Sequence, residues 1–229
     1  MSPGPWMGMQ RPEITTARTG LVHRTTGGSG GAPGDRYHRG PPRTELPAAM
    51  NDRIRTVHAG RVLTLNLETV TLPNGRVAEL EIAHHPGGAA VVALDALGRT
   101  CLLRQYRHAA GGWIREIPAG KLDSGEPPLE CARRELAEEA GCTARRWDAL
   151  GSFFSSPGVL TEVIHLYLAR DLEPVPSAPE EHEVFEVEWL ALDEAAGLAA
   201  RGELRDAKTL IGLAWAAARL EAGQDRAVS

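Results

Sequence analysis

The sequence predicts a mixed α/β sandwich preceded by a small antiparallel β subdomain. Short apolar runs with strand-like patterning recur from Val62 to Leu190, and only three stretches have a helical period. An Asn74-Gly75 pair between two alternating runs marks a hairpin ahead of the main body. Strands interleaved with few helices fit a sandwich and not a doubly wound sheet.

At 229 residues, 42% hydrophobic and 24% charged, the chain can form one sizeable domain or a small and a medium one. A net charge of -5 gives no electrostatic footprint for duplex DNA or an anionic membrane, so neither is expected as a partner. Any phosphate must then be held by local groups. Cys101, Cys131 and Cys142 are odd in number and lack C-x-x-C spacing, which argues against a disulfide framework or a thiolate zinc site. A reducing cytoplasm suits them. No run approaches roughly 18 apolar residues and no signal-peptide pattern opens the chain.

Residues 1–49 are rich in Gly, Pro, Thr and Arg and have no hydrophobic periodicity, so they are expected to be a disordered tail or an over-extended reading frame ahead of Met50. Their six arginines also allow a nucleic-acid arm or a targeting leader, readings that the composition favours less. Residues 50–86 are expected to form the β subdomain, with strands at 62–71 and 77–84 joined by the turn at Leu72–Arg76. His84-His85 invites a metal reading, but adjacent strand residues point to opposite faces, so a structural role is expected. Residues 87–222 are the expected main domain and 223–229 a flexible C-terminus.

Within the main domain, strands are expected at 89–94, 100–106, 113–117, 147–154, 163–169 and 185–190. Arg104 and Arg107, near the end of the second of these, can match phosphate oxygens bidentately. Residues 155–162 read as a loop by their Ser, Pro and Gly content. The stretch 173–183 is an acidic loop ending in Glu180, Glu181 and Glu183. Helices are expected at 193–200 and 208–222, the latter with Leu210, Leu213, Ala214, Ala217 and Leu220 on one face.

The most informative stretch is Gly120–Cys142. Pro127 and Pro128 suit a helix start and Gly141 the residue past its end, leaving room for about three turns. Glu135, Glu138 and Glu139 stand at i, i+3 and i+4, so three carboxylates share one face. Like charges at this spacing cost roughly a few tenths of a kcal/mol per pair, and the negative end of the helix dipole adds to that. A hard divalent cation such as Mg²⁺ or Mn²⁺ reverses the balance.

Gly120, Glu126, Arg134-Glu135-Leu136, Glu138-Glu139 and Gly141-Cys142, at their observed spacing, resemble the signature box of the Nudix hydrolases, Cys142 being a mild departure. Beyond the box, Leu103-Arg-Gln-Tyr-Arg107, Glu116-Ile-Pro-Ala-Gly120 and Pro157, sixteen residues after Gly141, are similar to the ADP-ribose pyrophosphatase branch and related NDP-sugar hydrolases.

This resemblance implies a Nudix α/β/α sandwich with an N-terminal β subdomain, assembled as a homodimer. The implied activity is Mg²⁺-dependent hydrolysis of ADP-ribose to AMP and ribose 5-phosphate, or of another NDP-sugar such as GDP-mannose or ADP-glucose. A Nudix-fold sensor without turnover is the alternative from a different class. Glu135, Glu138 and Glu139 would be metal ligands with the Ala119 carbonyl, Glu138 serving also as a base or bridge. Glu181 would be the catalytic base and Glu183 a further ligand. Arg107 would contact the diphosphate, with Arg104 and Pro157 further substrate contacts, and Glu116 would hold a ribose hydroxyl. Arg134 would orient the carboxylates and Glu126 support the loop or an outer ion, with Gly120 and Gly141 structural. Residues 51–105 contain no Phe, Tyr or Trp, so the base is clamped by aliphatic groups, by Tyr106, or is weakly selected.

Overall fold

β4 (Gly88–Ala93) is buried along its whole length, as expected of an unbroken apolar run with both faces covered. Ala89, Val91 and Ala93 face one cluster, with Cys131, Ala132 and Leu136. Ala90 and Val92 face the other, with Leu166, Leu168, Leu213 and Ala216. The computed structural model describes residues 53–179 and 183–224.

Around β4 the main sheet has the order β7-β4-β9-β8. β9 (Val163–Pro174) is parallel to β4, whereas β7 (Ala119–Lys121) is antiparallel to β4 and β8 (Cys142–Phe154) to β9. Helix α1 (Pro128–Ala140) covers one face and α3 (Ala207–Gln224) the other, giving the α/β/α sandwich, and α2 (Leu192–Ala200) packs on α3. A second sheet, β10-β5-β6, joins Phe185–Ala191, Arg99–Arg107 and Gly112–Glu116 in antiparallel pairs.

The third sheet, β1-β2-β3, is the small antiparallel β subdomain. Its turn closes as Asn74-Gly75 predicts: Gly75 has φ 80° and the Arg76 N–H donates to Asn74 Oδ1 at 3.0 Å. The end of β3 (Val77–His84) is tied to the 155–162 loop, since the Ala83 N–H donates to Val159 O and the Thr161 N–H to Ala83 O, at 2.8 and 3.0 Å. That places the entry to β4 beside this loop.

Three differences from the sequence expectation have physical causes. β1 (Arg53–Ala59) is exposed at every position, so burial imposes no pattern on it beyond its pairing with β2 (Thr64–Thr71). β8 starts at Cys142 and β9 runs to Pro174, because the two extensions pair with each other, Cys142 opposite Pro174, where neither stretch alternates as a strand by itself. The short β7 forms because the edge of β4 pairs with Pro118's neighbours, a stretch that reads locally as a turn. Helix α3 continues through Gly223 to Gln224. The expectations for residues 1–49 and for Glu180 and Glu181 fall outside the described residues.

Candidate active site

Helix α1 begins after Pro127, with Pro128 in its first turn, and ends on Gly141 at φ 62°, whose N–H reaches back to Ala137 O at 3.2 Å. The three carboxylates of its last turns are not equivalent. Glu135 and Glu139, four residues apart, turn toward β7 and are 7% and 1% exposed. Glu138 is offset around the helix, and its side chain is 34% exposed.

β7 shapes the pocket for the buried pair. The Ala119 N–H donates to Glu139 Oε2 at 2.8 Å. At Gly120 a Cβ would lie 1.8 Å from Glu135 Oε1, so only glycine leaves room for that carboxylate. Arg134 holds the outer side. Its guanidinium makes two 3.0 Å bonds to Glu126, one of 2.5 Å to Glu135 Oε1 and one of 3.3 Å to Glu138 Oε2. Glu126 Oε2 also accepts the Asp123 N–H at 3.0 Å, which closes the loop before the helix. The Arg134 hydrogen bond holds the Glu126 carboxyl at about 2, well below its usual range.

Burial acts oppositely on the inner pair. Desolvation pushes Glu139 up to about 8 and Glu135 up to about 7, with Glu183 adding repulsion to both. Such carboxyls retain protons in the folded state after the unfolded chain has released them. Their contribution to stability is therefore fully present below the ordinary carboxylate value and is lost as pH rises through about 7 and about 8. A cation on this face would offset that loss. Millimolar Mg²⁺ is expected to raise the melting temperature more at pH 8.5 than at pH 6, as scanning fluorimetry can measure, and an equal or smaller shift at pH 8.5 would contradict this.

The donor set suits a hard divalent ion, being carboxylate and carbonyl oxygen on a rigid helix and strand. Among the described residues no three His, Cys, Asp or Glu side chains already close round a point. Arg134 engages Glu135 and Glu138, and the Ala119 N–H engages Glu139, so a cation would meet the pair from the cavity side.

That cavity has a volume of about 400 Å³. Of the residues expected at the site, Arg107, Ala119, Gly120, Arg134, Glu135 and Glu183 line it. Glu139 lies behind Glu135, at the Ala119 amide. Glu116 is beneath the cavity wall, 2% exposed, with both oxygens engaged by Arg107 Nε and Nη2 at 2.9 and 3.0 Å. Burial raises the Glu116 carboxyl, but the Arg107 bond and Lys208 outweigh this and hold it below its ordinary value.

Arg104 is not brought into this cavity. It stands an odd number of residues from Arg107 on β5 and so on the opposite face, 4.7 Å over the Trp113 ring and 3.0 Å from Glu186. Pro157 is exposed on the 155–162 loop, which contributes Ser155 and Glu162 to the lining instead. His84 and His85 diverge: His84 Nε2 is 2.5 Å from Glu68, whereas His85 lines the cavity with Nδ1 3.3 Å from Glu162.

The sequence reading missed His85, Glu162, Asp206 and Lys208 as cavity residues. For Lys208 one local signal existed: a lysine in a helix's first turn opposes the dipole and calls for another explanation.

A rigid helix carrying buried carboxylates, a glycine cradle and an arginine lining the same cavity is the arrangement expected from the box. Comparison with known proteins agrees. The NUDIX domain model matches residues 84–212. An "ADP-ribose pyrophosphatase" of Bacillus subtilis (strain 168) is 40% identical over 155 residues, 67% of this chain and 84% of that one. A "Methanol dehydrogenase activator" of Bacillus methanolicus is likewise 40% identical over 157 residues, 68% of this chain and 85% of that one. A solved structure described as "Crystal structure of ADP compounds hydrolase" superposes with a TM-score of 0.66 at 23% identity, over 76% of this chain and 94% of that one, a likeness of fold. The chain belongs to the Nudix family and is a hydrolase of that family.

Proposed function

We propose that this protein hydrolyses the diphosphate bond of ADP-ribose to AMP and ribose 5-phosphate in the presence of Mg²⁺, or Mn²⁺ in its place. What supports the reading is the pair Glu135 and Glu139, buried on a rigid helix, with Glu135 lining a cavity that Arg107 also lines and Glu139 directly behind it. The 40% identity to the Bacillus subtilis protein supports the ADP-ribose assignment.

In this reading Glu135, Glu139 and the Ala119 carbonyl would hold the metal, with Glu138 and Glu183 as further ligands. A divalent ion held there would neutralise phosphate charge and lower the pKa of a water bound to it. Arg134 orients Glu135 and Glu138 and anchors the loop through Glu126. Arg107 faces the diphosphate. Glu181 is the proposed base. Glu181→Gln is expected to slow kcat about a hundredfold with metal affinity kept; normal turnover would move the role to Glu138.

The equal identity of the "Methanol dehydrogenase activator" supports keeping other substrates and a binding role in view. Assays of ADP-ribose, ADP-glucose and GDP-mannose with product identification test the choice. A kcat/KM for another NDP-sugar well above that for ADP-ribose would replace the first assignment, and binding without phosphomonoester release would support a sensor.

The β subdomain, residues 50–86, is the proposed dimerisation element, and 87–222 the hydrolase domain. Ile54 and Leu80 pair with Glu68 from either side, so they share one face of this sheet, and at 61% and 37% exposed they offer apolar surface that a second copy would cover. Light scattering that returns a monomer mass would remove this part. The cytoplasm is the proposed location, on the grounds that Cys101, Cys131 and Cys142 are buried free thiols. Among the described residues no helix is long and apolar enough to cross a membrane.

A further inference from the structure

The run Asp206-Ala207-Lys208-Thr209 joins the start of α3 to the chain just ahead of the box. Asp206 Oδ2 accepts both the Thr209 N–H, at 2.9 Å, and its hydroxyl, at 2.6 Å, which caps the helix. Thr209 is fully buried, and its hydroxyl oxygen accepts the Ile117 N–H at 2.9 Å. The first turn of α3 is thereby locked to the segment between β6 and β7.

Lys208 stands inside this lock. Its ammonium contacts Glu116 Oε2 and lies 2.8 Å from Asp206 Oδ1. Arg107 binds the same Glu116 carboxylate through Nε and Nη2. Two cations therefore converge on one carboxylate whose side chain is 3% exposed.

A lysine serving only as the partner of a buried glutamate would be redundant, because Arg107 already makes the bidentate pair. Lys208 instead keeps its side chain 17% exposed and lines the cavity with Arg107. The planar guanidinium, bound through Nε and Nη2, turns its Nη1 edge away from Glu116, and an ammonium has a third N–H beyond the two that Glu116 and Asp206 take. Glu135 and Glu183 line the same cavity. The lining thus offers cations, Arg107 and Lys208, as well as carboxylates. An anion that also carries divalent cations fits such a lining.

We propose that Lys208 is a substrate-binding residue that contacts the diphosphate beside Arg107, with Glu116 as the positioning residue for both cations. This rests on reading the cavity as a diphosphate site. It gives Glu116 a role under the wall in place of a contact with a ribose hydroxyl.

The test is calorimetric binding of a methylene-bridged, non-hydrolysable ADP-ribose analogue, together with steady-state kinetics on ADP-ribose, for wild type, Lys208→Met, Lys208→Gln, Lys208→Arg and Glu116→Gln. Lys208→Met and Lys208→Gln are expected to raise the analogue Kd and the KM about tenfold, with kcat changed much less. Lys208→Arg should recover most of the affinity. Glu116→Gln should raise the same two constants, which a loss of stability alone would not do. If Lys208→Met does not fold, Lys208→Gln decides. An analogue Kd within about twofold of wild type in the folded lysine-to-neutral variants overturns the inference. Wild-type binding without turnover would fail the hydrolase reading and leave this one to the Kd values. Wild type that does not bind the analogue overturns both.

Discussion

Glu139→Gln is expected to lower kcat at saturating Mg²⁺ by about three orders of magnitude or more while the protein stays folded. The substitution is nearly isosteric, and the amide oxygen can still accept the Ala119 N–H that Oε2 now takes at 2.8 Å. What disappears is a negative charge at a position 1% exposed, where solvent cannot replace it. A thousandfold loss corresponds to about 4 kcal/mol of transition-state stabilisation, the size found for single electrostatic groups in desolvated sites. Stability should move the other way. Burial holds the Glu139 carboxyl at about 8, so neutral glutamine removes a desolvation cost above that pH, and the metal-free melting temperature at pH 8.5 should not fall. A variant within tenfold of wild-type kcat would contradict the role given to this residue.

Gly120→Ala is expected to cost roughly a hundredfold or more in kcat/KM, because it acts on the same pair through the backbone. The added methyl would lie 1.8 Å from Glu135 Oε1 and 2.2 Å from its Cδ, and real atoms do not approach so closely. Glu135 is 7% exposed and already engaged by Arg134, so the carboxylate or β7 must shift. Gly158→Ala is the control. No heavy atom lies within 4 Å of a Cβ built there, and near-normal kinetics are expected. Equal behaviour of the two variants would show that the contact at Gly120 is relieved without consequence.

Periodicity made the centre of this protein legible, and parity could have refined it. The unbroken apolar run of β4 announced a strand, and the i, i+3, i+4 carboxylates announced an acidic helix face. Period alone could not divide that face: Glu135 and Glu139 are buried and Glu138 is not because β7 lies to one side of the helix. Arg104 and Arg107 looked alike as paired guanidinium groups, yet an odd separation on a strand already places them on opposite faces. Lys208 meets Glu116 across 92 residues, and His85 meets Thr161 across 76, contacts that only the fold creates. Pro157 matched a spacing, and spacing carries no direction; the loop turns Ser155 and Glu162 inward instead.

The central claim is that buried carboxylates on α1 and the cations lining the cavity beside them serve metal-assisted cleavage of a diphosphate. Phosphorus NMR of ADP-ribose incubated with the wild-type protein follows that bond directly. The expected result is replacement of the diphosphate resonances by two phosphomonoester signals, those of AMP and ribose 5-phosphate, in the presence of Mg²⁺ and not with excess chelator. Diphosphate resonances that persist at saturating Mg²⁺, with ADP-ribose and with each other NDP-sugar offered, would contradict it.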